Sequence, residues 1–127
     1  MSAAPSPTIL VVEDESSIAS FVSLYLKNAG YGVRTAANGS EALSQVAREM
    51  PGLIVLDLAL PWMDGFAFRE QQLADPAVAH CPILVCSGQL DAVTDLERLR
   101  GAAYLEKPIE PEVFLRFVRA FCQPSGA

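Results

Sequence analysis

Polar side chains follow four of the five short apolar runs of this sequence. In chain order they are the acidic pair Glu13–Asp14, then Asp57, then Ser87, and finally the pair Glu106–Lys107. If the runs are parallel strands, the residues at their carboxyl ends meet at one edge of a sheet, where open α/β sheets bind their ligands. The sequence therefore predicts a sheet edge that carries carboxylates, a hydroxyl and an ammonium group.

Carboxylates gathered at such an edge repel one another, by about 4 kcal/mol for a pair at roughly 4 Å and an effective dielectric constant of about 20. Such a cluster either raises a carboxyl pKa or recruits a cation. Oxygen ligands in a small, partly hydrated site suit Mg²⁺, which also accepts a phosphate oxygen. Lys107 and Ser87 can contact other phosphoryl oxygens. Asp57 then becomes a candidate nucleophile that forms an aspartyl phosphate.

Each of these features has an ordinary explanation when it is taken alone. Glu13–Asp14 could be a turn or a helix cap, Asp57 a loop acid, and Lys107–Pro108 a simple strand exit. Their joint placement after successive predicted strands favours the functional interpretation.

The elements that would position these residues alternate along the chain. The predicted strands are Thr8 to Val12, Tyr31 to Ala36, Leu53 to Leu56, Pro82 to Cys86, and Ala102 to Leu105. The first, third and fourth are apolar throughout, which is typical of strands covered on both faces. Strands that alternate with helices form a parallel sheet. We therefore predict a doubly wound, flavodoxin-like α/β fold, with five strands in the order 2-1-3-4-5 and five helices.

Apolar residues at helical spacing mark the predicted helices. The stripe of the first helix is Ile18, Phe21, Val22, Tyr25 and Ala29, and Gly30 stops this helix. The stripe of the second is Leu43, Val46, Ala47 and Met50, with Asn38 or Ser40 as its cap.

The remaining three helices have clear starting residues. Asp64 caps the third helix, which runs through Phe66 and Leu73, and Asp91 or Thr94 opens a short fourth helix. Pro111 starts the fifth helix, whose stripe is Phe114, Phe117, Val118 and Phe121.

Composition limits the class of protein. The 127 residues are 51% hydrophobic and 19% charged, which predicts one compact domain from residue 8 to 122 with loose tails at 1–7 and 123–127. The net charge of −6 argues against general affinity for nucleic acid. Cys81, Cys86 and Cys122 have no metal-ligand spacing and are expected to be reduced thiols. No signal peptide or apolar membrane span is recognised, so we expect a cytoplasmic protein.

Five stretches carry a resemblance to a known family. They are ILVVEDE at Ile9 to Glu15, NGSEAL at Asn38 to Leu43, LIVLDLALPWMDG at Leu53 to Gly65, PILVCSG at Pro82 to Gly88, and AAYLEKP at Ala102 to Pro108. In this order they closely resemble the response-regulator receiver domain of two-component signalling, in the CheY-like superfamily. The resemblance runs from about Thr8 to Cys122.

The resemblance implies a role for each motif residue. Asp57 would be the phosphoacceptor and a metal ligand, Asp14 would bind Mg²⁺ directly, and Glu13 would bind it through water. The backbone carbonyl of Ala59 would be a further ligand.

The remaining motif residues would contact the phosphoryl group or respond to it. Ser87 and Lys107 would contact the group. Tyr104 would be the switch aromatic, whose ring turns inward when Ser87 moves toward the phosphate. The Lys107–Pro108 peptide bond would be cis.

The resemblance also implies partners. A histidine kinase or a phosphotransfer protein would donate the phosphoryl group. A downstream protein would bind the face formed by the fourth predicted helix, the fifth strand and the fifth helix. From the net charge and the lack of a long apolar run we expect no nucleic-acid or membrane partner. The chain would act on itself alone, through its own phosphorylation and dephosphorylation, and we expect a stand-alone regulator.

Alternative functions stay open at this point. A hydrolase of the haloacid dehalogenase type also uses a strand-end Asp and Mg²⁺, but it needs a second Asp two residues later, where this chain has Ala59. A pseudo-receiver would lack the acceptor, the lysine or the acidic pair, and all of these are present. The chain could also be a receiver from a hybrid histidine kinase or a longer regulator.

Overall fold

The computed structural model of the protein describes residues 8–57, 65–87, 102–106 and 108–123, without the side chains of residues 65, 66 and 87. The predicted fourth helix, the Asp64 cap, and nearly all of the two predicted tails lie outside these residues. Among the helices of the described ranges, none combines the length and apolarity that a membrane span requires.

Strands and helices alternate in the described chain. The strands are β1 (Thr8–Val12), β2 (Gly32–Ala36), β3 (Leu53–Asp57), β4 (Ile83–Ser87) and β5 (Ala103–Glu106). The helices are α1 (Ser16–Asn28), α2 (Gly39–Arg48), α3 (Gly65–Ala74) and α4 (Pro111–Phe121). The predicted fifth helix is α4 in this numbering, and the described ranges contain four helices.

The five strands form one parallel sheet in the order β2-β1-β3-β4-β5. This order confirms the predicted doubly wound, flavodoxin-like fold. Its centre is β1 and β3, which are apolar except for Asp57 and the first residue of β1, and are almost fully buried. A strand with helices on both of its faces has no solvent side, so side chains of both orientations must be apolar.

Alternate residues of the strands enter two cores, one on each face of the sheet. On one face, Leu10, Ile54 and Val85 pack with Phe68 of α3 and with residues of α2. On the other face, residues such as Ile9 and Leu84 pack with Leu26 of α1 and with Phe114 and Val118 of α4. The two cores fix the sheet between its helices and hold the ends of β1 and β3 in place.

Local signals in the sequence set the helix ends as predicted. Gly30 follows α1 with a φ of 101°, in the left-handed region that favours glycine, and its N–H donates to the carbonyl of Lys27 at 3.1 Å. Asn38 caps α2, since its side-chain oxygen accepts a hydrogen bond from the N–H of Glu41 at 2.8 Å. Pro111 begins α4.

The predicted stripe of α1 was partly wrong. Its buried residues are Ala19, Ser23 and Leu26, whereas Ile18 is 39% exposed and Phe21 is 67% exposed. Small side chains let the helix lie close to the sheet, so the face with alanine and serine packs inward and part of the larger apolar stripe remains outside.

The other stripes need smaller corrections. In α2, Ala47 and Met50 are exposed, and the helix ends at Arg48, before Met50. In α4, Phe121 at the last turn is exposed as well. The core still reaches the end of both helices, since Val46 and Cys122 are buried, so the exposed apolar residues are the ones on the side away from the core.

Candidate functional site

Glu13 and Asp57 emerge side by side because β1 and β3 are paired in register. Val12 is opposite Leu56 in this parallel pair, so the next residue of each strand lies at the same sheet edge. One carboxylate oxygen from each of Glu13, Asp14 and Asp57 lies within 4.8 Å of the others. The structure thus brings together the three acids that the sequence predicted would meet.

Backbone contacts orient the acidic pair. The N–H of Glu13 donates to the carbonyl of Ala36 at 2.9 Å, which extends the β1–β2 contact by one residue. The side-chain oxygen Oε2 of Glu13 accepts a long hydrogen bond of 3.3 Å from the N–H of Glu15. These contacts hold the Glu13 carboxylate near the sheet edge, while Asp14 is exposed and reaches the cluster from the solvent side.

Asp57 is the last residue of β3, whereas the sequence predicted that it would come just after the strand. It lies opposite Cys86 in the pair with β4, and it is partly buried. Ser87 similarly ends β4, and it lies opposite Glu106 of β5. Ser87 therefore comes one residue after Cys86, the residue of β4 that lies beside Asp57. The side chain of Ser87 lies outside the described part of the chain.

Other predicted site residues fall outside the described ranges. They are Ala59, the predicted carbonyl ligand, and Lys107, the predicted phosphoryl contact. The peptide bond between Lys107 and Pro108 is therefore outside the described ranges as well. Pro108 itself is exposed. The roles of these residues stay predictions.

Tyr104 lies in β5, opposite Val85, and its partly buried ring packs on the core that contains Phe68. Its hydroxyl oxygen is buried and has no hydrogen-bond partner within the described ranges. Burial raises the pKa of this hydroxyl, and the carboxylate of Glu106 adds to the effect. The predicted switch aromatic therefore has a buried polar end that no described residue satisfies.

The three carboxylates form a set of donors that fits a small divalent cation. At about 4.8 Å and an effective dielectric constant of about 20, each pair of charges repels by about 3 kcal/mol, and less where Asp14 meets water. A bound cation removes this cost. All the donors are oxygens and one side of the cluster is open to solvent, which suits Mg²⁺ with some of its waters retained.

A small apolar cavity of about 140 Å³ lies next to Asp57, between α1 and α4. Its wall includes Ile18 and Phe21 of α1 and Phe114 of α4. The hydroxyl of Tyr25 donates to the carbonyl of Pro111 at 3.0 Å and ties the two helices together beside it. Helical spacing predicts buried positions for Ile18 and Phe21, so this cavity could not be predicted from the sequence.

The fold and the site together define a flavodoxin-like α/β domain with an acidic cluster at the carboxyl ends of its central strands. The family model described as "Response regulator receiver domain" matches residues 9–119. The chain belongs to the response regulator receiver domain family, as its motifs indicated. The match covers nearly the whole chain, which sets aside the haloacid dehalogenase alternative.

A curated relative and two solved structures show the range of this similarity. The chain is 34% identical over 116 residues to the DNA-binding dual master transcriptional regulator RpaA of Synechocystis, which covers 90% of this chain and 48% of that protein. It resembles the chemotaxis protein CheY4 of Vibrio cholerae with a TM-score of 0.83 at 30% identity, over 91% of this chain and 98% of that one.

A second solved structure bears on the acidic cluster. This is the receiver domain of the sensor histidine kinase PA1611 from Pseudomonas aeruginosa, with a TM-score of 0.80 at 25% identity, over 91% of this chain and 97% of that chain. It contains a magnesium ion coordinated in its active-site cleft.

The chain spans about half the length of the first curated relatives that it matches. RpaA is described as DNA-binding. The expectation that the protein has no nucleic-acid partner therefore finds no support among its relatives.

Proposed function

We propose that this domain is a phosphoacceptor, and that Asp57 receives a phosphoryl group in a reaction that depends on Mg²⁺. The observation that carries the proposal is the approach of the Glu13, Asp14 and Asp57 carboxylates to within 4.8 Å of one another. Such a group binds a cation and places one carboxylate at the end of a rigid strand. A phosphoacceptor needs both the bound cation and the fixed carboxylate.

The residues have distinct roles in the proposed reaction. A carboxylate oxygen of Asp57 attacks phosphorus and forms an O–P bond, while the N–P bond of a phosphohistidine donor breaks. The electron pair of that bond stays on the imidazole nitrogen, which then takes a proton from solvent. Glu13 and Asp14 would hold Mg²⁺ with Asp57, and the ion neutralises phosphoryl charge when bound.

The remaining predicted residues complete the proposal. The carbonyl of Ala59 adds a metal ligand, while Lys107 and Ser87 contact the phosphoryl oxygens. A cis peptide bond before Pro108 aims Lys107 at the site.

The phosphoryl group would act on partners through a shift between two states of the domain. It adds roughly −1.5 to −2 charges and new hydrogen-bond acceptors. Ser87 moves toward it and frees space for the ring of Tyr104. The surface that changes is formed by the predicted fourth helix, which precedes β5 in the chain, by β5 itself, and by α4, and it binds a downstream protein.

The donor in this proposal is a histidine kinase or a phosphotransfer protein of the cytoplasm. The domain itself turns over no separate substrate. It would catalyse only its own phosphorylation and dephosphorylation.

Phosphorylation with acetyl phosphate and Mg²⁺, followed by intact-mass spectrometry, tests the proposal. Wild type should gain one phosphoryl group, which hydroxylamine releases because the product is an acyl phosphate. The Asp57→Asn variant should gain none.

A matched control separates loss of the acceptor from loss of an acid elsewhere. Asp75→Asn changes an exposed acid in the turn after α3 and keeps an oxygen to accept the bond from the N–H of Ala77. It should be labelled like wild type. Full labelling of Asp57→Asn would show that another residue is the acceptor.

A further inference from the structure

The outer face of α1 presents large apolar side chains to solvent. Phe21 is 67% exposed, Leu24 is 61% exposed and Ile18 is 39% exposed. Together they expose roughly 300 Å², a size at which an apolar patch on a monomer is often functional. Phosphoryl transfer at Asp57 does not account for Leu24, which is absent from the wall of the cavity beside Asp57.

The exposed residues at the centre of this face form a straight row. They are Ser17, Phe21, Leu24 and Asn28, at intervals of four, three and four residues, and we call them the α1 seam. Residues at these intervals lie along one side of a helix, and here it is the side opposite the buried residues of α1. The α1 seam thus has the spacing of the contact line between two packed helices.

The α1 seam is self-complementary when two copies of the helix run antiparallel. Its intervals read the same in both directions, so a two-fold axis can pass midway between Phe21 and Leu24. This axis places Phe21 of each copy against Leu24 of the other, as an isologous interface requires. It also places Ser17 against Asn28, and these two side chains can form a hydrogen bond at each end of the apolar contact.

The charges of α1 favour the same antiparallel arrangement. Lys27 is the only charged residue of the helix, so this face carries none of the excess negative charge of a chain with a net charge of −6. Glu15 is exposed and directly precedes the helix. From the helical rise, the two-fold axis brings Lys27 of one copy to within about 5 Å of Glu15 of the other, measured along the helix axis. A parallel arrangement would instead place the two Lys27 side chains beside each other.

We propose that this domain forms a weak symmetric dimer through the α1 seam, in which a second copy of the chain covers the apolar patch. A specific interface needs about 500 Å² on each partner. The apolar patch supplies roughly 300 Å² of this area, and Ser17, Lys27 and Asn28 supply the remainder. Because the area is at the lower limit for a specific interface, the expected Kd is of the order of 100 μM.

Sedimentation equilibrium of the whole chain tests the proposal directly. Between about 10 μM and about 1 mM protein, concentrations on either side of the expected Kd, the mean mass should rise from that of the monomer toward twice that value. The mass of the monomer is 13.6 kDa. A mass that stays at this value would overturn the proposal and leave the patch to a different protein. Asp57→Asn should associate like wild type, so a failure of the phosphoacceptor proposal would leave this one standing.

Single substitutions test whether the dimer uses this face. Phe21→Ser and Leu24→Ser should each weaken association at least about tenfold, because both lie at the centre of the interface and each change removes two apolar contacts. Phe121→Ser is the matched control, since Phe121 is also a large apolar residue, 44% exposed, but lies at the end of α4. It should associate like wild type. Circular dichroism shows that each variant is folded, and unchanged association of folded Phe21→Ser would place the interface elsewhere.

Disulfide trapping tests the antiparallel orientation. The Ser17→Cys and Asn28→Cys proteins are mixed in equal amounts and treated with a mild oxidant, and intact mass distinguishes the three disulfide-linked products. The mixed product should exceed the share that random pairing gives, because the two-fold axis places Ser17 opposite Asn28. Wild type is the control for background linkage, since its own cysteines Cys81, Cys86 and Cys122 are buried. A predominance of either product that links two identical chains would overturn the antiparallel seam.

Discussion

Gly52 lies directly against the side chain of Cys122, and a β-carbon at Gly52 would be 2.8 Å from the Cys122 Sγ atom. The contact joins the residue before β3 to the residue after α4. It lies at the amino-terminal edge of the sheet, opposite the acidic cluster. The hydroxyl of Tyr31 donates to the carbonyl of Cys122 nearby, so the end of α4 is fixed by two separate contacts.

Gly52→Ala should destabilise the protein by about 1–3 kcal/mol, because an added methyl group has no room in a packed core. Urea denaturation of Gly52→Ala, Cys122→Ala and the double variant measures this effect. The double variant should lose less stability than the sum of the two single variants, because Cys122→Ala removes the clashing sulfur. Additive losses would mean that the two residues do not interact.

The buried thiol of Cys81 should lower the unfolding free energy of the protein in alkaline solution. Burial raises the pKa of its thiol from 9.0 to about 11. The folded state then holds the proton more tightly than the unfolded state, so this stability is complete below pH 9 and is lost as the pH rises toward about 11. Cys81→Val, which cannot ionise, should show a shallower fall in unfolding free energy over this range. Identical slopes would contradict the prediction.

Gln72 is a buried polar residue that fixes the turn after α3. It is fully buried, and its amide nitrogen donates to the carbonyls of Val78 and Cys81, each at 3.0 Å. Gln72→Leu should cost about 2–4 kcal/mol, because two carbonyls lose their partner in the core. Gln71→Leu, at an exposed neighbouring position, is the control and should change the denaturation midpoint little.

The sequence predicted the sheet and the acidic cluster because both follow from simple rules. Apolar runs that alternate with helices give a parallel sheet, and residues at the ends of paired strands must meet. Glu13 and Asp57 could be placed together without coordinates, since β1 and β3 are adjacent in the predicted order. The strand register that places Glu13 and Asp57 at the same point of the sheet edge is a property of the fold.

The orientation of α1 could not be predicted in the same way. Hydropathy favours Ile18 and Phe21 for the buried face, but Ala19 and Ser23 occupy it. The choice depends on how closely the helix approaches the sheet, and small residues allow the closer approach. The apolar cavity beside Asp57, whose wall includes Ile18 and Phe21, follows from that same orientation, so hydropathy alone could not reveal it.

Mg²⁺ should stabilise the folded protein even without phosphate. A ligand that binds the native state alone adds about 1.4 kcal/mol at a concentration of about ten times its Kd. Thermal unfolding should therefore shift upward with MgCl₂ in wild type and much less in Asp14→Ala. Glu15→Ala is the matched control, because Glu15 is exposed and supplies only its backbone N–H to Glu13. An equal rise in all three proteins would indicate nonspecific ionic effects.

Tyr104→Phe should leave the unphosphorylated protein at least as stable as wild type. The Tyr104 hydroxyl is buried without a hydrogen-bond partner among the described residues, so its removal relieves a desolvation cost of about 1–3 kcal/mol. Tyr104→Ala should instead lose stability, because the ring packs on the core around Phe68. Urea denaturation of the three proteins distinguishes these effects. If Tyr104→Phe were as unstable as Tyr104→Ala, the hydroxyl would have a stabilising partner in the folded protein.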